Sequence, residues 1–289
     1  PLVKGTYFAK KYGYSFVYLK NEAVNPTWSH KDRLNAVLIS KAKELGAKGI
    51  VASSTGNHGI SAAAYASACD LPCIVFYPPE TSPTYLRLTG FYGAKAFIAP
   101  WERRGELLRR MVREWEWTPS CPFLEGDISN PYGVEGYKTI AYELISQFEG
   151  VPDVVLAPVS EGNAITGMLK GFREMMELGV VDRLPRFYGC IPRGANALER
   201  SFDRNEEKVM VLEDAYSIAT STREKTAGVH VLRALRATRG RAVSVPDSEI
   251  IRMAKELGKS GFCVELASAL PAACLESLIE SGEVLPEEK

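Results

Sequence analysis

Lys31 stands in the stretch NPTWSHKDRL, at the mouth of residues that read as a helix. A lysine placed there meets the positive partial charge of a helix N-terminus. The ordinary reading is a solvated side chain beside Asp32 and Arg33. The chemical reading is an amine that burial and neighbouring positive charge make nucleophilic, so that it forms a Schiff base with a carbonyl. Shortly downstream comes a turn of small and polar residues, Ser53, Ser54, Thr55, Gly56, Asn57, His58 and Gly59. Its hydroxyls, its amide and the backbone N–H groups of a helix start are enough to hold a carboxylate; a plain N-cap turn has the same composition.

A third segment has the makings of an anion site. DVVLAPV reads as a buried strand, Ser160, Glu161, Gly162, Asn163 and Ala164 as a small-residue loop, and the following residues as a helix with Ile165, Met168, Leu169, Phe172 and Met176 on one face. Strand, small-residue turn and helix start together present unpaired N–H groups and a favourable dipole to a phosphate. An ordinary strand–helix connection looks similar, and Glu161 brings a negative charge into the loop. A phosphate site combined with an imine-forming lysine is what pyridoxal 5'-phosphate requires.

Metal chemistry finds no support in the spacing. The six cysteines lie at 69, 73, 121, 190, 263 and 274, and none of the three histidines stands at zinc-motif distance from one of them. Reduced, mostly buried thiols in a cytoplasmic protein are the expectation, with no metal.

NPTWSHKDR resembles the Asn-Pro-Thr…Lys-Asp-Arg lysine motif of threonine synthases, within the fold type II family of pyridoxal-phosphate enzymes. SSTGNHG is similar to that family's asparagine turn, and EGYKTIAYEL to its Gly-x-Lys-Thr helix. ATSTREKTAGVHVLRALRATRGRAVSVPDSEI and GFCVELASALPAA follow in the same order, so the resemblance covers nearly the whole chain. It implies that Lys31 carries the cofactor covalently and moves protons once substrate displaces it. It further implies that Asn57 bonds the 3-hydroxyl of the pyridine ring and that Ser160, Glu161, Gly162, Asn163 and Ala164 hold the phosphate. Ser54, Thr55 and the N–H groups of Gly56, Asn57 and His58 would take the substrate carboxylate, and the working state would be a homodimer.

Several positions depart from the threonine synthase pattern. Trp28 replaces the usual glycine and His30 the usual phenylalanine, and the phosphate loop lacks a glycine-rich run. SHK, TGNHG and GNAI are similar to the tryptophan synthase β-subunit, which places His30 as a further contact to the cofactor phosphate. GNHG also occurs in serine and threonine dehydratases. The family's next element after GEVLPEEK would be a strand ending in a Thr-Gly or Ser-Gly turn whose hydroxyl faces the pyridine nitrogen. The expectation is therefore a sequence that lacks part of the working protein at both ends, with Ser268 a poor substitute for that hydroxyl.

The elements that must position these residues follow from apolar periodicity. Helices are expected at 32–45, 59–69, 84–92, 102–116, 134–148, 164–178, 228–238, 247–257 and 267–279. Between them stand the strands GIVASS, CIVFYP, KAFIAP, DVVLAPV, RFYGCIP and RAVSVP, and a polar stretch runs from 194 to 226. Such alternation implies an α/β protein with a parallel sheet covered on both faces; the resemblance implies two open, mainly parallel sheets flanked by helices, with the cofactor in the cleft between lobes. The smaller lobe is expected at 35–130, the larger at 1–34 and 131–289, with the turn-rich SNPYG region as the crossing.

Of the 289 residues 46% are hydrophobic, and 35 basic residues balance 35 acidic ones. That balance gives no reason to expect nucleic acid or an anionic membrane as partner, and no apolar run approaches the roughly 20 residues of a membrane span. The function the resemblance implies is that of a lyase acting on a small amino acid, eliminating phosphate from O-phosphohomoserine and adding water to give threonine. The alternatives are a serine or threonine dehydratase, a β-replacement enzyme, or a non-catalytic ligand-binding homologue.

Overall fold

The computed structural model describes residues 1–14, 16–121, 130–148 and 150–289. In chain order its first elements are β1 (Leu2–Lys4), α1 (Thr6–Tyr12), β2 (Tyr18–Lys20), α2 (Lys31–Glu44), β3 (Ile50–Ser53), α3 (Asn57–Ala68) and β4 (Cys73–Tyr77). Next come α4 (Pro83–Phe91), β5 (Lys95–Ile98), α5 (Trp101–Trp115), β6 (Thr118–Pro119), α6 (Tyr132–Phe148), β7 (Val154–Pro158) and α7 (Asn163–Glu177). β8 (Arg186–Pro192), α8 (Ala197–Asp203), α9 (Val229–Ala237), β9 (Ala242–Val245), α10 (Asp247–Lys259) and α11 (Leu266–Glu280) complete the order.

The residues form two compact units, Glu22–Thr139 in one, Pro1–Asn21 with Ile140–Lys289 in the other. In the first, four parallel strands run in the order β5-β4-β3-β6. Ile50, Val51 and Ala52 of β3 are wholly buried, as expected for a central parallel strand covered on both faces. Val51 packs in one cluster with Phe76, Ala99, Leu108 and Met111, so the apolar stripe of the charged helix α5 closes one side of the sheet. β5 begins on Lys95 and lies mostly exposed, the usual protection of an edge strand.

In the second unit three parallel strands run β7-β8-β9, each joined to the next through helices. α10 and α11 pack Ile250, Met253, Leu257, Leu270, Cys274 and Leu278 into a core shared with Tyr188, Val243 and Val245. The expected fold class, parallel sheets flanked by helices, is the fold observed. Four features were not foreseen: the antiparallel pair β1–β2, helix α1, the short strand β6, and α8 inside the stretch read as polar. Part of the SNPYG turn lies outside the described residues.

Candidate active site

α2 begins at Lys31, and the loop before it is held by the helix's own second residue. The buried Asp32 carboxylate accepts from the Thr27 N–H at 2.7 Å and from the Thr27 hydroxyl. An acidic group in the first helical turn is also favoured by the dipole. Trp28 sits between these anchors at φ 63°, in the left-handed region, with its indole 58% exposed. That conformation is sterically easy for glycine and costly for other residues.

Arg33 continues the lock. Its guanidinium meets both carboxylate oxygens of Glu22, at 2.5 and 2.8 Å, and donates to the Thr139 hydroxyl at 2.8 Å. Thr139 in turn donates to the Gly136 carbonyl at 2.7 Å. Gly136 lets α6 lie directly on α2, since a Cβ there would stand 1.9 Å from the Arg33 carbonyl oxygen. The KDR and GYKT segments are thus two halves of one joint that fixes where Lys31 points. The Lys31 amine lies 3.4 Å from the hydroxyl of the fully buried Tyr137.

The turn after β3 is built around Ser54. Its hydroxyl accepts from the N–H groups of Gly56 and Gly59 at 3.0 and 2.9 Å and donates to the Gly56 carbonyl at 3.2 Å. Those bonds hold the entry to α3, whose first residues are Asn57 and His58. Gly56 and Gly59 stand against aromatic rings: a Cβ would reach Tyr85 at 2.7 Å and the Tyr77 hydroxyl at 2.2 Å. Thr55, Asn57 and His58 are half-buried beside this bonded core of the turn.

Two imidazoles share the surroundings of Lys31. His58 Nε2 lies 2.7 Å from the Ser120 carbonyl and 3.1 Å from the Ser120 hydroxyl, which donates to Asn35 Oδ1 at 2.7 Å. A carbonyl only accepts, so Nε2 carries the proton and Nδ1 is bare. Burial, then the Lys31 charge, lowers the His58 pKa to about 4. Burial also holds His30 well below the usual histidine range, followed by the charges of Lys31, His58 and Arg33. Both rings are therefore neutral near pH 7.

A pH dependence follows. The unfolded chain protonates His58 near pH 6.5, the folded one near pH 4, so in that window the unfolded state holds the extra proton. The stability contributed by neutral His58 is complete above the window and lost as pH falls through it. Unfolding free energies of the protein and its His58→Gln variant should therefore draw together between about pH 6.5 and 4. A pH-independent difference would show that His58 is not held neutral.

In the other unit the loop after β7 turns on Gly162, at φ 98°, where a Cβ would also lie 2.2 Å from Val231. One glycine suffices because one position needs the left-handed backbone. Thr166 is the first residue of α7 to donate back, to the Gly162 carbonyl, so the N–H groups of the preceding first turn are left for a ligand. Glu161 Oε2 accepts from Asn163 Nδ2 at 3.0 Å, and the Glu161 carbonyl accepts from the Gly228 N–H at 3.0 Å. The Ser160 hydroxyl stands 3.5 Å from Glu224 Oε1. Asn163 Oδ1 is buried with no hydrogen bond.

These features suit a phosphate-bearing aldehyde. The N–H cradle fits the phosphate, the Glu161 carboxylate is tied to Asn163, and the Lys31 amine has no carboxylate partner among the described residues. The structure brings Lys31, His30, His58 and Tyr137 together in one unit and arranges Ser160, Glu161, Gly162, Asn163 and Ala164 as one loop in the other. Sequence reasoning missed Asp32, Ser120, Asn35 and Tyr137; for Tyr137 the signal was its place beside Gly136 in EGYKT. No group of three or more His, Cys, Asp or Glu among the described residues could hold a metal ion. No described helix is long and apolar enough to cross a membrane.

Comparison with known proteins shows the family to which the chain belongs. The family described as pyridoxal-phosphate dependent enzyme matches residues 1–289. The threonine synthase of Methanocaldococcus jannaschii is 33% identical over 296 residues, covering 100% of this chain and 72% of that protein. The threonine synthase of Methanosarcina acetivorans is 32% identical, covering 98% of this chain and 70% of that protein. Among solved structures, maize serine racemase superposes with a TM-score of 0.86 at 21% identity, covering 100% of this chain and 84% of that one. The processed form of threonine deaminase isoform 2 from Solanum lycopersicum gives 0.85 at 19% identity, covering 98% of this chain and 80% of that one. At those identities the structural likeness is one of fold.

Proposed function

This chain belongs to the pyridoxal-phosphate-dependent enzymes as a threonine-synthase-like lyase, and we propose that it eliminates phosphate from O-phosphohomoserine and adds water to form threonine. The observation that carries this reading is the 33% identity to a threonine synthase along the whole chain. The joint between the KDR and GYKT segments adds a physical reason for their occurring together.

When bound, pyridoxal phosphate supplies an electron sink for charge developing at the substrate's α-carbon. Lys31 would be the residue that holds the cofactor's aldehyde carbon, and its amine would move the proton at the substrate's α-carbon. The N–H groups of the loop 160–164 would hold the phosphate, aided by the dipole of α7, and Asn57 would bond the ring hydroxyl. Thr55 and the N–H groups of Asn57 and His58 orient the substrate carboxylate, while the Ser54 hydroxyl, accepting from the Gly56 and Gly59 N–H groups, holds the turn in place. Neutral His30 and His58 add no positive charge of their own beside Lys31. The family likeness also supports a homodimer working in the cytoplasm.

One assay tests the reaction. O-phosphohomoserine, serine and threonine are offered together, and inorganic phosphate and 2-oxo acid are both measured. Phosphate release without oxo acid is the expected result. Oxo acid from serine or threonine with no phosphate release would make the protein a dehydratase, the activity that GNHG shares with that group.

A further inference from the structure

Tyr137 has no part in the chemistry described so far, yet it is the side chain nearest in kind to a partner for the reactive amine. Its side chain is fully buried, and buried phenols seek a hydrogen-bond partner. Its hydroxyl is 3.4 Å from Lys31 Nζ, and the amine has no other hydrogen-bond partner among the described residues.

The phenol is held where it stands from three sides. Gly136, its neighbour, lies against the backbone of Arg33 and Leu34, so α6 delivers residue 137 beside the base of the lysine. Thr139, two residues on, takes the Arg33 guanidinium at 2.8 Å. The His30 ring flanks the tyrosine ring, with centroids 5.7 Å apart and planes 31° from parallel.

We propose that Tyr137 is a positioning residue for Lys31: its hydroxyl oxygen accepts a hydrogen bond from the amine and so sets where the nitrogen lone pair points. An amine with one N–H tied down has fewer orientations to lose when it attacks a carbonyl. The inference rests on the pyridoxal-phosphate reading of Lys31. Phe at this position keeps the ring and its packing and removes the acceptor alone.

The test follows attachment of the cofactor and does not depend on turnover. Protein stripped of cofactor is mixed with pyridoxal 5'-phosphate, quenched with borohydride at intervals, and mapped for the adduct on Lys31. Pyridoxine 5'-phosphate, which has no aldehyde, reports binding separately through its affinity. Tyr137→Phe should slow adduct formation roughly tenfold, the effect of losing one such hydrogen bond, with unchanged affinity for pyridoxine 5'-phosphate. Its kcat should fall while KM stays near that of the parent. Equal rates of adduct formation would overturn the proposal, as would a parallel loss of pyridoxine 5'-phosphate affinity, which would make Tyr137 a packing residue. Absence of any Lys31 adduct in the parent protein would instead remove the cofactor reading, and this inference with it.

Discussion

Replacing Lys31 by Ala should abolish covalent attachment of pyridoxal phosphate and lower turnover by roughly 10³-fold or more. The fold should survive the change. The lysine is only half-buried, its amine makes a single 3.4 Å hydrogen bond, and Ala is the best of helix formers at a helix start. Loss of activity with an unchanged melting temperature would therefore report chemistry and not unfolding. The purified variant should be colourless where the parent is yellow. A Lys31→Ala protein that keeps full activity would contradict the assignment.

The second large effect is structural, and it lies at the joint that aims the lysine. Gly136→Ala places a Cβ 1.9 Å from the Arg33 carbonyl oxygen and 3.1 Å from the Leu34 Cα. Both are backbone atoms of α2, so no side-chain rotation relieves the clash, and α6 must move away. Overpacking costs on the order of 1–3 kcal/mol, and a backbone-on-backbone contact belongs at the upper end. With about 3 kcal/mol lost, Tm should fall by roughly 6–12 °C. The displacement also carries Thr139 from Arg33 and Tyr137 from Lys31. A variant with the parent's Tm would show that α6 does not pack on α2 at Gly136.

Much of this was legible in the sequence because periodicity and turn chemistry are local. The burial of 50–52 follows from a run of apolar residues bounded by Gly49 and the Ser-rich turn. The start of α2 at Lys31 follows from the polar NPTWSH entry. What stayed hidden depends on residues far apart or too few to show a pattern. β1 and β2 are three residues each and pair across a helix, Leu2 opposite Lys20. α8 has seven residues, of which Ala197, Leu198 and Ser201 are buried, too short a run to reveal a face.

At the site, the same division holds. Ser54 reads as a hydroxyl available for substrate, but only the folded turn shows it accepting from Gly56 and Gly59. The lone glycine of the phosphate loop looked like a deficiency, and φ 98° at Gly162 shows that it occupies the position that needs it. Trp28 stood out as a departure, whereas its left-handed backbone is a property of the turn and not of the residue. The contact from Tyr137 to Lys31 spans 106 positions, so only the EGYKT motif, and no periodicity, pointed to that tyrosine.

Lys31 is the residue we propose to carry pyridoxal phosphate. Reducing the purified, cofactor-loaded protein with borohydride and mapping its peptides tests that claim directly. The expected result is a phosphopyridoxyl group on Lys31 and on no other lysine. The same group on a different lysine, or on none, would contradict it.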